Sequence, residues 1–372
     1  MSTPIEKLHA LGQSIWYDNI ERRLLKNGEL AGMIERGEIR GVTSNPSIFK
    51  AAIADSSDYD DELITLAKAG KSADEIYETL AIADIRAATD LFRPLYDETN
   101  GGDGYVSLEV SPLLAHNTEG TAAEAKRLWD AVDRPNLMIK IPATQAGLPA
   151  ITETIASGIN VNVTLIFSQA RYGEVIDAYL TGLEQRVVQG GKIDNIASVA
   201  SFFVSRIDAK TDKRLEAHTD SNGNVDPLAV GLMGRLAVAN AKEAYQLFKR
   251  MFGSDRFDLL AKAGARIQRP LWASTSTKNP NYSDVKYVNE LIGPNSVNTV
   301  PPHTLDAFRD HGTALLTLES GLAEASQAFA ELRALGIPFD ELTQELEDEG
   351  VASFAKAFET LMETVEHRRA NA

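Results

Sequence analysis

Runs rich in β-branched and aromatic residues alternate along this chain with stretches whose apolar positions recur every three or four residues. The first pattern predicts strands and the second amphipathic helices. Eight strand segments stand out, at 14–18, 39–44, 105–110, 137–141, 159–165, 197–203, 270–275 and 296–300. Helical patterns fill the gaps, among them 121–132, 146–157, 169–188 and 227–251. Ser72-Ala73-Asp74-Glu75 reads as a capping box, and Thr3-Pro4 places an N-cap before a proline at the first helical position. The polar clusters at 100–104, 220–224 and 278–283 are turn chemistry rather than domain joints. Strands alternating with helices predict a parallel sheet with crossover helices.

Eight strands in a chain of 372 residues match an α/β fold of the (β/α)8 TIM-barrel kind, with an open doubly wound sheet as the alternative that pattern alone leaves open. One domain over 1–372 is expected. From about 312 the chain is helical and acidic, at 321–335, 340–348 and 352–367, and is expected to pack on the outside of the barrel.

Composition narrows the partners. Asp and Glu number 53 against 37 Lys and Arg, a net charge of −16. Such a surface repels phosphate backbones and anionic lipid, so neither nucleic acid nor membrane is an expected partner. The absence of cysteine removes disulfides, thiolate metal sites and thiol nucleophiles together. No apolar run approaches about 18 residues, and the first residues lack a basic-then-apolar leader pattern. A cytoplasmic enzyme is expected.

The strands are informative because they are not uniformly apolar, as buried parallel strands should be. Polar groups lie near their C-terminal ends: Asp18, Asn45, Glu109, Lys140, Asn162 with Thr164, Ser201, and Ser274 to Ser276. In a barrel those ends surround the catalytic mouth. Lys140 is the sharpest case, one ammonium inside Leu137-Met138-Ile139-Lys140-Ile141. Burying that charge is costly unless it is paired or gives up its proton. A lysine deprotonated by desolvation can attack a carbonyl and form a Schiff base, whereas a structural lysine would pair with Glu109 on the neighbouring strand. Glu109 with a water held by Thr164 suits the proton transfers of imine chemistry, and Asp18 suits removal of a hydroxyl proton during carbon–carbon cleavage. Asn45, Asn162 and Ser201 can orient sugar hydroxyls; otherwise such residues cap turns and helices. Arg206, after Ser201-Phe202-Phe203-Val204-Ser205, and Lys278, after Ser274-Thr275-Ser276-Thr277, fall in late strand-to-helix loops where barrels bind phosphate.

These residues resemble the transaldolase family, closest to the longer form found in actinobacteria. The resemblance rests on Gly41-Val42-Thr43-Ser44-Asn45-Pro46-Ser47-Ile48-Phe49, Asn136 to Thr144, Gly158 to Ser168 and Ala200 to Asp208, and covers about residues 10 to 310. It implies an α/β barrel that moves a dihydroxyacetone unit from sedoheptulose 7-phosphate to glyceraldehyde 3-phosphate. The products are erythrose 4-phosphate and fructose 6-phosphate, in the non-oxidative pentose phosphate pathway. It implies no metal or organic cofactor; a monomer or homodimer is the expected assembly. By motif match Lys140 is the Schiff-base lysine, Asp18 the acid/base, and Glu109 with Thr164 the pair that positions water. Asn45, Asn162 and Ser201 match the donor-hydroxyl contacts and Arg206 a phosphate arginine. One departure is clear. Many members carry a second phosphate arginine soon after an Ala-Ser pair, whereas here Ala273-Ser274 leads through Ser276 to Lys278, a point charge rather than a fork.

Other motifs fail. Ala69-Gly70-Lys71-Ser72 lacks the first glycine of a phosphate loop, and 100–104 lacks dinucleotide-binding spacing. Asn162-Val163-Thr164 fits a glycosylation pattern but lies in a predicted buried strand. No two histidines share metal-ligand spacing. Beside transaldolase, a related lysine aldolase and a non-enzymatic sugar-phosphate binder are the competing readings.

Overall fold

Eight parallel strands hydrogen-bond in sequence order and the first pairs with the last, so the sheet closes and has no edge. The computed structural model describes residues 2–54, 56–219 and 223–372, so the predicted loop at 220–224 lies partly outside the described residues. The strands are β1 (Gln13–Tyr17), β2 (Gly41–Val42), β3 (Tyr105–Glu109), β4 (Leu137–Pro142), β5 (Val161–Ile166), β6 (Ser198–Phe203), β7 (Gln268–Ala273) and β8 (Ser296–Val300). Each falls on a predicted segment, and closure settles the choice between barrel and open sheet. β2 is shorter than expected because the chain turns at once into the helix Pro46–Phe49, capped by the Asn45 side chain. β7 ends two residues early because Ser274 takes a left-handed φ of 56°.

Register sorts the two faces of the barrel wall. Ser107 pairs with Met138, Glu109 with Lys140, and Lys140 with Asn162, so these side chains share the interior face. The alternate positions Val106, Leu108, Ile139, Ile141 and Val163 are buried under the helices. Inside the barrel the fully buried Trp16 lies against Gly41: a Cβ on Gly41 would stand 2.7 Å from the indole ring. Glycine there is a requirement of the indole's volume. β5 carries one extra residue between Val163 and Ile166, with Leu165 at φ 60°. Such a bulge re-aims its neighbours at the mouth.

The helices bring two corrections. The pattern at 227–251 predicts one helix, but the chain forms Pro227–Leu232 and Leu236–Phe252. Gly234 between them has φ 71°, and a Cβ there would meet the Tyr282 ring at 2.7 Å. At the C-terminus the two segments predicted at 340–348 and 352–367 are one helix, Phe339–Ala370. Gly350, which looks like a break, is helical and buried, and a Cβ on it would stand 3.0 Å from Leu165 Cδ2. It lets the helix descend onto the β5 bulge.

The extension also divides in two. Helix Leu322–Ala334 packs on Leu236–Phe252, outside the barrel as expected. The last helix instead touches Pro46–Phe49, Ala73–Glu98, Ser205–Glu216 and β5, which places it across the mouth. Periodicity shows that a helix has an apolar face, not which surface that face will cover. Both predicted caps are formed: Thr3 with Glu6, and Ser72 with Glu75, are reciprocal capping boxes. No helix among the described residues is long and apolar enough to cross a membrane.

Candidate active site

Lys140 lies on β4 with its side chain inside the barrel and 5% of its surface exposed. Its Nζ donates to the Ser44 carbonyl at 3.0 Å and lies 3.5 Å from Glu109 Oε2. The Phe354 ring, from the last helix, covers it at 5.8 Å from the centroid. One strand over, burial pushes the Glu109 carboxyl up to about 7 against the pull of Lys140, with Asp18 adding to the rise. A carboxyl poised there exchanges a proton readily at neutral pH.

Asp18 follows directly on β1, held to the barrel by its backbone N–H donating to the Val300 carbonyl. Its Oδ1 accepts from Thr43 Oγ1 at 2.6 Å, and Thr43 in turn bonds Thr299. Burial raises the Asp18 pKa, opposed by the Lys140 charge, the Thr43 hydrogen bond and the more distant Lys278. Thr43, Ser44 and Thr299 were not singled out in the sequence. Thr43 and Ser44 lie inside the Thr43-Ser44-Asn45-Pro46 motif, while Thr299 shows only the period-2 alternation of β8.

A second chain of hydrogen bonds runs across the middle of the interior. Ser201 Oγ donates to Asn162 Oδ1 at 2.7 Å, and Asn162 Nδ2 donates to Ser107 Oγ at 3.0 Å. Asn162 and Ser201 are thus oriented as a unit, and Ser107, two residues before Glu109, is a further member. Thr164 is fully buried on β5, and neither its Oγ1 nor Glu109 Oε2 has a hydrogen-bond partner among the described residues. A buried polar atom in that position has unused capacity. The Asn45 Oδ1 accepts from the Ile48 backbone N–H, so the capping reading of that residue holds. A cavity of about 270 Å³ adjoins Asn45 and Glu109.

The predicted basic pair is also brought together. Arg206 lies at the start of helix Ser205–Glu216, its guanidinium 5.5 Å from the Phe203 ring centroid. Lys278 donates to Ser276 Oγ at 2.6 Å, and Ser274 Oγ bonds Ser205 Oγ at 3.1 Å, tying the two loops. Burial lowers the pKa of both cations, and Arg206 lowers that of Lys278 further. Neither makes an ion pair with a carboxylate among the described residues, although Glu349 acts on Arg206 and Asp18 on Lys278 from further off. No cluster of His, Asp or Glu among the described residues has the geometry of a metal site.

A family model described as Transaldolase/Fructose-6-phosphate aldolase matches residues 15–365 of this chain. The chain belongs to that family. It is therefore an enzyme of a transferase family, and the match takes in most of the last helix, beyond the point near 310 where motif resemblance ended. The chain is 51% identical to a protein named Transaldolase 1 from Streptomyces avermitilis, over 97% of this chain and 94% of that relative. It is also 51% identical to a protein named Transaldolase from Saccharopolyspora erythraea, over 97% of this chain and 96% of the relative. A Trichodesmium erythraeum protein of the same name is 48% identical, over 97% and 96% respectively.

Proposed function

We propose that this transaldolase-family enzyme transfers a dihydroxyacetone unit from sedoheptulose 7-phosphate to glyceraldehyde 3-phosphate through a Schiff base on Lys140. The observation that carries the reading is the amine buried inside the barrel at Lys140, 3.5 Å from a carboxyl raised to about 7, beneath an aromatic roof. Glu109 takes the proton of Lys140, and the neutral amine adds to the ketose carbonyl carbon. Glu109 then returns a proton through a water held with Thr164, and the carbinolamine oxygen leaves as water. This forms the imine.

Asp18, more basic than a solvated aspartate, removes the proton of the hydroxyl beyond the bond to be broken. That bond cleaves, its electrons pass into the imine to form an enamine, and the shortened aldehyde phosphate departs. The enamine attacks the incoming aldehyde, Asp18 returns the proton to the new hydroxyl, and water hydrolyses the imine. Asn162, Ser201 and the amide nitrogen of Asn45 orient the donor hydroxyls. Arg206 and Lys278, with Ser274 and Ser276, hold the phosphate end.

Borohydride reduction in the presence of fructose 6-phosphate tests this directly. A dihydroxyacetone-sized adduct on Lys140 by peptide mass spectrometry is expected, and none in Lys140→Ala. An adduct on another lysine, or no adduct, overturns the assignment. The family description also names an aldolase, in which water rather than an aldehyde resolves the intermediate. Fructose 6-phosphate alone should then release free dihydroxyacetone at the full rate. In a transferase, release becomes fast only as transfer, after erythrose 4-phosphate is added.

A further inference from the structure

At the other end of the barrel a second cavity, about 390 Å³, opens among the strand N-termini. Arg40, Arg266 and Arg269 line it, and Asp103 is the only carboxylate among the lining residues. Asp103 is buried and already committed: it accepts from Ser14 Oγ at 2.6 Å, Trp16 Nε1 at 3.1 Å and Arg269 at 3.1 Å. Arg40 reaches it only at 3.6 Å. Arg266 finds carbonyl oxygens alone, those of Asp194 and Gly101. Guanidinium groups stay charged in proteins, so three positive charges face one negative. His9 adds none, since burial and the neighbouring arginines hold it down to about 4. Two uncompensated positive charges around one cavity, in a chain of net charge −16, make a local field opposite to that of the molecule.

One further group asks for a donor. Gln13 is 1% exposed and lines the same cavity. Its Nε2 donates to the Leu291 carbonyl and to Ser296 Oγ, which fixes the amide, and its Oε1 has no partner. A buried acceptor beside surplus guanidinium charge suits a ligand with both anionic oxygens and a hydroxyl. Trp16, fully buried against Gly41, lines this cavity, and none of the cavity's lining residues is shared with the cavity beside Asn45 and Glu109.

We propose that the cavity at the N-terminal end of the barrel binds a small phosphate monoester bearing a hydroxyl, independently of the catalytic mouth. Calorimetric titration of the full chain carrying Arg206→Ala and Lys278→Ala, which removes the phosphate corner of the mouth, isolates this site. Glycerol 3-phosphate should still bind at one site per chain. Adding Arg40→Gln should weaken that binding by about tenfold or more, the loss expected for a charge-assisted contact. Arg40→Lys should restore part of it. Arg40 is partly exposed and its removal leaves Asp103 with three other donors, so the variant keeps its fold. Inorganic phosphate as a second titrant separates the two sources of the phosphoryl group: weaker binding than the ester places the hydroxyl on Gln13. Absence of binding once the mouth is disabled overturns the proposal. So does binding that Arg40→Gln leaves unchanged.

Discussion

Phe354, near the middle of the last helix, holds its ring centroid 5.8 Å from the Nζ of Lys140 on β4. The amine proposed to react is thus roofed by a residue encoded long after the barrel strands are complete. Phe354 is 5% exposed, so Phe354→Ala should destabilise the protein by about 3 kcal/mol, in the range for emptying a buried phenyl site. It should also admit water to the enamine, raising free dihydroxyacetone released from fructose 6-phosphate several-fold relative to transfer. Phe354→Leu should recover most of the stability. Urea unfolding and a coupled assay for dihydroxyacetone check both effects, and unchanged release would mean the ring does not seal the site.

The proposed mechanism has Asp18 and Lys140 acting at different steps, so Asp18→Asn separates them. The variant should trap borohydride adduct nearly as well as the wild type. Its kcat for transfer should fall by roughly 10²–10⁴, the usual worth of a general base. Equal loss of trapping and transfer would place Asp18 in the fold rather than in cleavage.

Glu109 gives a pH signature with a definite sign. Its folded carboxyl holds the proton to about pH 7, against 4.5 in the unfolded chain. Folding therefore takes up a proton between those values. The stabilisation is full below pH 4.5 and is lost as pH rises through about 7. The stability of wild type relative to Glu109→Gln should fall between pH 5 and 7.5, measured by urea denaturation at fixed ionic strength. The pH profile of wild-type kcat should rise through about 7, as the carboxylate that accepts the lysine proton forms, and Glu109→Gln should lack that limb.

Arg206 should act on phosphate and nothing else. Arg206→Ala is expected to raise KM for fructose 6-phosphate by about tenfold or more, consistent with a charge-assisted contact of roughly 1.5–3 kcal/mol. Unphosphorylated fructose should show little change. Lys278→Ala should give a smaller effect of the same kind, because a point charge makes fewer directed bonds than a guanidinium. Equal losses for both sugars would remove Arg206 from the phosphate corner.

Much of this arrangement is legible in the chain because parallel strands punctuate themselves. Seven of the eight predicted segments carry a polar residue toward the mouth, so Asp18, Glu109, Lys140, Asn162 and Ser201 stand out as candidates from position alone. Arg206 and Lys278 followed from the loops after them. Contacts between sequence-distant surfaces were not legible. Gly234 and Gly350 look alike as helix breakers; one breaks a helix beneath Tyr282, and the other lets a helix approach Leu165. Ser107 and Thr43 are ordinary strand residues until register places them beside Asn162 and Asp18. Phe354 carries no sign of its partner, since an aromatic on a helical stripe packs on whatever surface the fold supplies.

The order of the chain also sets a schedule. Synthesis proceeds from the N-terminus, and β8 ends at Val300, whereas the helix that closes the mouth begins at Phe339. Until that helix is made, Phe354 cannot cover the amine of Lys140. Arg368 near the far end of that helix, bonded to the Ile53 and Ala54 carbonyls and to Asp60, fastens the cover in place. A chain that ends before the last helix loses the ring over Lys140 and the Arg368 fastening together, so the cover and its clasp are gained or lost as one piece.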